Sequence, residues 1–385
     1  MAKAVYVGVG SKARKMKKAY IGIGGKARKV KKMYIGDSSG KARLCYSAEL
    51  DRYGMAPALA VARYGVRTAT VGNYALFAGG LKPDLISVKT VDAYNTSLTK
   101  STPAEMERGR RYHAAAAIGG YALFTGGQEE TGGYSVFLNT TEVYNASLTR
   151  SRAPDMSDSG RLNMGAAVVG NYALFAGGTA NGLGDASVKV DVYDTSLTHT
   201  MATNLNGSTR ECTRGASVGN YALFAGGKRY IRKHDVLFEE YIVDAYDASL
   251  TRTAAPELRA VKNRDAAATV GNHAVFVGNP GVADIYDASL TRTSANILST
   301  ARTGLAATTV GNYAIFAGDG VTDFCDASLT RSSISTSMTG HDMGAVTIGD
   351  CALFAGGHSG KRVEGEYDHA DPSDTAYDSV EVYTA

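Results

Sequence analysis

Ten residues, Val71-Gly-Asn-Tyr-Ala-Leu-Phe-Ala-Gly-Gly80, return seven times with varying fidelity, their first glycines at Gly72, Gly119, Gly170, Gly219, Gly271, Gly311 and Gly349. Successive copies lie 47, 51, 49, 52, 40 and 38 residues apart, the length of four short strands with their turns. A unit of that size cannot bury its apolar face alone and must stack against its own copies. The chain of 385 residues therefore reads as one ring of seven units rather than two or three independent domains.

Order within a unit is constant. A small-residue stretch such as His113-Ala-Ala-Ala-Ala-Ile118 or Asn163-Met-Gly-Ala-Ala-Val168 comes first, then the Tyr-Ala-Leu-Phe strand ending in Gly-Gly, a variable loop, and a string such as Val91-Asp-Ala-Tyr-Asn-Thr-Ser-Leu-Thr-Lys100. Short β-branched and aromatic runs bounded by Gly, Asn, Asp and Ser are strand and turn signals, and no helical period persists. The fold class is all-β. Small residues in the first strand suit convergence on a central channel. The Gly-Asn-Tyr turn suits a tight hairpin, and the paired glycines allow close approach of the next unit.

Over residues 51 to 385 this pattern resembles kelch repeats, which implies a seven-bladed kelch-like β-propeller. Two departures stand out. There is no Trp in the chain, and Ser-Leu-Thr fills the place where such repeats carry one; units five and six have Gly278-Asn279 and Gly318-Asp319 instead of the diglycine. The chain ends on Asp378-Ser-Val-Glu-Val-Tyr-Thr-Ala385, a third strand with no fourth. Upstream, Cys45-Tyr-Ser-Ala-Glu-Leu-Asp-Arg-Tyr53 is expected to supply that outer strand and close the ring, removing an open edge. The expected domains are residues 1–44 and a propeller over 45–385.

Charge divides the chain in the same place. Residues 1–50 hold 13 Lys or Arg against Asp37 and Glu49, whereas the remainder is net acidic, so the overall +4 conceals two unlike parts. Tyr6, Tyr20 and Tyr34 are 14 residues apart, and Lys-Ala-Arg follows each, giving Lys12 and Arg14, Lys26 and Arg28, Lys41 and Arg43. These repeats predict a small basic β-meander, too poor in apolar residues to stand alone. Gly22-Ile-Gly-Gly-Lys-Ala-Arg is not a phosphate loop, because Ala follows the Lys and no helix follows that. Lysine and arginine interleaved with tyrosine fits nucleic acid, but evenly repeated cations on strands fit a solvated face or an acidic protein better. The repeats resemble N-terminal segments of phage and prophage structural proteins of Gram-positive bacteria. That resemblance implies an anchor on a virion or tail protein, with Tyr6, Lys12, Arg14, Tyr20, Lys26, Arg28, Tyr34, Lys41 and Arg43 as its residues.

Nine residues before the turn glycines stand Arg63, Arg110, Arg161, Arg210, Lys262, Arg302 and, in the last unit, Gly340. One reading places six cations around a channel mouth, able to hold an anion or acidic glycan. The other has each arginine donating to carbonyls of the neighbouring blade. The loops between second and third strands are long in units two, four and seven and short in five and six, which predicts an uneven face where binding residues collect. Candidates there are Tyr134 and Phe137; Lys228, Arg229, Tyr230, Arg232 and His234; and His358, Lys361, Arg362 and Tyr367. Contact with a neighbouring copy, and hence a homo-oligomer, is the alternative use of these loops.

Chemistry is poorly represented. Four scattered cysteines without CxxC read as packed thiols, and His358, Asp368, His369 and Asp371 form only a weak metal-like group. No cofactor or metal is expected. Loop acids Glu129, Glu130, Glu239, Glu240, Glu364 and Glu366 leave a glycan-cleaving enzyme as one alternative, and an intracellular interaction scaffold as another. No apolar run suits a membrane span, and the basic start lacks the apolar core of a signal peptide. The expectation is a non-catalytic particle protein, made in the cytoplasm and displayed on a virion surface, that recognises a host-surface glycan or protein.

Overall fold

The computed structural model describes residues 6–9, 12–15, 20–23, 26–29, 32–36, 42–47, 50–180, 185–207, 210–211, 213–231, 236–259, 262–279, 281–336, 339–359 and 375–385. Among them are seven four-stranded antiparallel sheets, each ordered from first to fourth strand, and no helix. Their first strands are Arg67–Val71, Ala114–Ile118, Gly165–Val169, Arg214–Val218, Lys262–Val270, Ala306–Val310 and Gly344–Ile348. Each touches the first strand of the next sheet, and Gly344–Ile348 returns to Arg67–Val71. The molecule is a seven-bladed β-propeller.

Its core is seven wedges, one at each interface between blades. Ala69, Val71 and Leu76 of blade one, for example, pack with Ala122, Phe124 and Tyr144 of blade two, and the same pairing recurs round to Val346 and Leu353 of blade seven against Ala75 and Phe77 of blade one. In every blade but the sixth the Phe of the second strand meets the Tyr of the third edge-on, as in Phe77 and Tyr94 with ring centroids 5.7 Å apart, whereas in blade six Tyr313 of the second strand meets Phe324 of the third. The buried phenol then donates to the segment entering the blade, Tyr94 to Pro57 O at 2.7 Å and Tyr144 to Ala104 O at 2.8 Å.

Small residues on the first strands allow convergence, but those strands also carry a belt of hydroxyls. Thr70 Oγ1 donates to Thr347 O at 3.0 Å, Ser217 Oγ to Val168 O at 2.6 Å, Thr269 Oγ1 to Ser217 O at 2.6 Å and Thr347 Oγ1 to Thr309 O at 2.5 Å, while Thr309 Oγ1 donates to Thr269 O. Each bond crosses from one blade to the one before it. Ala117 and Val168 interrupt the belt in blades two and three.

The Ser-Leu-Thr string is a turn between third and fourth strands. Asn95 Oδ1 accepts from the amides of Ser97 at 2.9 Å and Thr99 at 3.0 Å, and the arrangement repeats at Asn145, Asp194, Asp247, Asp287 and Asp326. It leaves a leucine in the left-handed region, with φ of 60° at Leu98 and Leu148 and 63° at Leu197, a conformation costing roughly 1–2 kcal/mol for a side chain with a Cβ. Packing of that leucine on the preceding blade's wedge offsets the cost, as when Leu148 covers Ala69 and Val71. The first turn nests into this one. Gly72 has φ of 53°, and a Cβ on it would lie 2.8 Å from the Cβ of Ala146 in the next blade; Gly119, Gly170, Gly219, Gly271 and Gly311 meet Thr195, Ala248, Ala288, Ala327 and Ala385 in the same way.

Closure uses an N-terminal strand, placed a few residues beyond the expected segment. Asp51–Ala56 pairs with Val380–Thr384 as the fourth strand of blade seven, with a bulge at Val382/Tyr383. Cys45 and Tyr46 instead belong to Ala42–Ser47, which pairs with Lys32–Gly36 and puts Tyr46 opposite Met33. What fixes the closing register is Leu50, buried in the wedge between blades six and seven, and Arg52, ion-paired with buried Glu381. The basic repeats form three separate hairpins in place of a continuous meander: among the described residues Tyr6–Val9 pairs only with Lys12–Lys15, Tyr20–Ile23 with Lys26–Lys29, and Lys32–Gly36 with Ala42–Ser47. The first two share one register, Tyr6 opposite Lys15 and Tyr20 opposite Lys29. Lys41 lies outside the described residues.

Candidate ligand-binding face

The arginines expected to ring the channel mouth do not face solvent. Arg63, Arg110, Arg161 and Arg210 are fully buried and Arg302 is 6% exposed, and each is ion-paired with the acid of its own blade's third strand: Asp92 at 2.8 Å, Glu142 at 2.8 Å, Asp191, Asp244 and Asp323. Their carbonyl contacts are also within the blade, not to the neighbour. Arg110 Nη1 donates to Gly126 O at 3.0 Å and Thr140 O at 2.9 Å, and Arg302 Nη1 to Gly318 O at 2.9 Å. Burial pulls these guanidinium pKa values down at positions 63, 110 and 302, and the partner carboxylates pull them back up. An external anion has no access to them. The Lys262 side chain lies outside the described residues.

These arginines and the diglycines are one device. The second glycine's amide donates to the backbone carbonyl of the next blade's arginine, Gly80 to Arg110 O at 2.9 Å, Gly127 to Arg161 O at 2.7 Å, Gly178 to Arg210 O at 2.8 Å and Gly357 to Arg63 O at 2.9 Å. A Cβ on the first glycine would run into that carbonyl, 2.5 Å away at Gly79 and 2.4 Å at Gly126. The acid completes the staple by accepting from the incoming segment and the fourth strand. Glu142 takes the Glu107 amide and Arg150, Asp191 takes the Ser157 amide and His199, and Asp323 takes Ser299 and Ser333. Lys100 pairs with Asp92 in the same position at 3.1 Å. The signal was present in the sequence: an acid stands two residues before the third-strand Tyr, or Cys325, in all seven units.

Above the staples the long loops build a collar of short extra strands. Tyr64 pairs with Leu81 and Leu81 with Ser87 over blade one, Arg111 with Gln128 over blade two, Leu162 with Thr179 over blade three, Glu211 with Lys228 over blade four, and His341 with His358 over blade seven. Blades five and six carry tight turns at Gly281 and at Asp319-Gly320, the latter pair at φ of 51° and 73°. The collar thus steps down over two adjacent blades, as the loop lengths predict.

Blade two's hairpin, Gln128–Glu130 with Ser135–Phe137, holds Tyr134 at 80% exposure. Ile86 of blade one pairs with Thr131 of this hairpin, and Ser87 N donates to Glu130 O at 3.0 Å, so the two loops make one small sheet. Register puts Ile86, Tyr134 and Val136 on one face of it, all three exposed, an apolar stripe on a raised edge. Phe137 is half-buried on the other face. Blade four contributes exposed Phe238 and Tyr241 and half-buried Lys228. Arg229 and Tyr230 lie in its strand Lys228–Ile231, and Arg232, His234, Lys361, Arg362 and Tyr367 lie outside the described residues.

His358 is not available to a ligand. It is 3% exposed, its ring 4.6 Å from Tyr64 and 6.1 Å from His341. Loop acids are likewise engaged: Glu129 pairs with Arg108, and Glu130 with Arg111 at 2.8 Å. No cluster of three or more His, Cys, Asp or Glu able to hold a metal occurs among the described residues. Among them no helix is long and apolar enough to cross a membrane. Compared with protein-family models and with curated protein sequences, the chain matches none.

Proposed function

We propose that this propeller is a non-catalytic recognition module of a phage or prophage-derived particle, its collar face binding a host-surface glycan or protein and its basic hairpins attaching it to a virion or tail protein. The observation that carries the recognition half is the raised sheet of blades one and two, where Ile86, Tyr134 and Val136 sit exposed on one face. Exposed aromatic and aliphatic side chains on a rigid scaffold are what a binding surface requires and what an inert surface avoids. The attachment half rests on the resemblance of the tyrosine-glycine and lysine-alanine-arginine repeats, and kelch-like ancestry rests on the repeat pattern.

Binding to polysaccharide and protein fractions of Gram-positive cell surfaces tests the reading, with unaltered protein beside Tyr134→Ala and Val136→Ser. The expected result is retention of the unaltered chain, at least about tenfold weaker retention of Tyr134→Ala, and ligand recovered intact. Equal retention of both variants overturns the role of the collar, and cleavage of the glycan overturns the non-catalytic reading.

A further inference from the structure

The apolar stripe of the collar lies across a joint. Ile86 belongs to blade one and Tyr134 and Val136 to blade two, and the sheet that holds them crosses the seam through Ser87 N to Glu130 O at 3.0 Å and Glu130 N to Ser87 Oγ at 2.9 Å. Below it, Gly80 N donates to Arg110 O at 2.9 Å. Ala117 leaves this seam without a hydroxyl bond of the kind that crosses from blade three round to blade one. In blades one to four the side chain six residues before the turn glycine packs against the preceding blade's diglycine. A Cβ on Gly356 would lie 3.4 Å from Val66 Cγ2, one on Gly126 2.7 Å from Met164 Cε and one on Gly177 3.1 Å from Thr213 Oγ1. Blade two has His113 in this place, its Cε1 2.9 Å from where a Cβ on Gly79 would stand. The histidine is 1% exposed, its ring centroid is 5.8 Å from that of Phe124, and neither ring nitrogen has a hydrogen-bond partner among the described residues.

We propose that His113 makes the seam between blades one and two an acid-sensitive hinge, which parts Ile86 from Tyr134 and Val136 as pH falls and so releases the collar's ligand. A neutral imidazole plugs the seam as Met164 plugs the next one, but an imidazolium there is a desolvated charge without a partner. The charges that act on the ring are both positive, Arg110 on the segment entering blade two and Arg67 at the start of blade one's first strand. Gly79, Gly127 and Phe124 around it are neutral. The acids of these elements are engaged by arginine, Glu142 of the third strand by Arg110 and Glu130 of the collar by Arg111, each at 2.8 Å. Opening the seam hydrates the ring and lets it take a proton near the ordinary value of about 6.5. Because the closed seam keeps the ring neutral, the closed form is fully favoured above that pH, and each pH unit below it shifts the balance toward the open form by up to about tenfold. The inference names a regulation of the recognition site, and rests on that reading only for the release of a ligand.

Hydrogen exchange of the full-length protein at pH 7 and pH 5, corrected for the intrinsic pH dependence of amide exchange, tests the hinge without any ligand. The amides of Gly80 and Ser87, which cross the seam, are expected to exchange roughly twentyfold faster at pH 5. Those of Gly127 and Gly178, which cross the next two seams to Arg161 O and Arg210 O, should keep their rates. His113→Met puts blade three's residue in the seam and should abolish the change. Equal acceleration at all four amides, acceleration at none, or the same acceleration in His113→Met overturns the proposal. Where His113→Met does not fold, the unaltered protein decides: Gly80 and Ser87 must open ahead of Gly127 and Gly178 as pH is lowered in steps, and simultaneous opening overturns the hinge. Release is read from retention on the same cell-surface fractions at pH 7 and pH 5, where the unaltered chain should lose at least about tenfold and His113→Met should hold; equal loss by both overturns the coupling. Absence of retention at pH 7 counts against the recognition reading alone, because the exchange of Gly80 and Ser87 is measured without ligand.

Discussion

At the scale of single residues the molecule's buried charge holds each blade together internally, and the backbone at the same arginines joins one blade to the next. Arg110 touches Glu142, Thr140 and Gly126, and its own carbonyl takes the Gly80 amide of blade one. Arg110→Met should lower the unfolding free energy by about 3–5 kcal/mol, because it leaves a buried carboxylate short of its partner. Adding Glu142→Leu should recover only part of that, since the Glu107 amide loses its acceptor. Urea midpoints of the three variants measure both effects. His113 is a second test. It is buried beside Phe124, and burial first, then Arg110 and Arg67, hold its pKa well below the usual 6.5. With the folded pKa depressed, stability is full above the unfolded value and declines as pH falls below about 6.5, where the unfolded chain takes up the proton. Melting temperature should therefore drop from pH 7 toward pH 5, and His113→Leu should remove part of that slope; an unchanged slope excludes His113 as its source. Cys325 is equally enclosed, with burial pushing its thiol up to about 12. It should resist Ellman's reagent in the folded protein and react at once in denaturant.

At the scale of elements, what the sequence made legible was whatever repeats. The turn glycines, the small first strands and the step in loop length over blades five and six all follow from the spacing. The arginine position was legible as a position, but its direction was not: a cation before a strand looks the same whether it faces water or an acid two strands later. The acid at 92, 142, 191, 244, 284, 323 and 381 settles it, since a charge between valine, alanine and tyrosine in a buried strand demands a partner. The Ser-Leu-Thr turn escaped for another reason, that leucine rarely takes positive φ and here does so because the wedge of the preceding blade holds it. The hydroxyl belt was hidden because Thr and Ser on an inner strand read only as small. Thr347→Val keeps the shape and removes the bonds to Thr309 O and Thr308, and should cost about 1–2 kcal/mol, measured by thermal melts beside Thr347→Ser, which keeps the hydroxyl.

At the scale of the whole molecule, closure decides stability, because each wedge belongs to two blades and none is complete in one. Six blades are built from consecutive chain, whereas blade seven takes its fourth strand from Asp51–Ala56. That strand satisfies the edge of Val380–Thr384, places Arg52 on Glu381 and buries Leu50 against Tyr383, Phe354 and Phe324. A chain begun at Leu50 keeps all of these and should give a cooperative melt close to that of full-length protein. One begun at Pro57 loses the strand, exposes an edge with unpaired backbone groups and strands Glu381 without its arginine. Its melt should move down and broaden, and scattering should show a larger radius or edge-to-edge association. The Arg52→Gln variant separates the charge from the strand: it should cost less than the truncation, because Thr336 still donates to Glu381 and the pairing with Val380–Thr384 survives. If the Pro57 chain melts like the full-length protein, the ring is closed by its wedges and not by the borrowed strand.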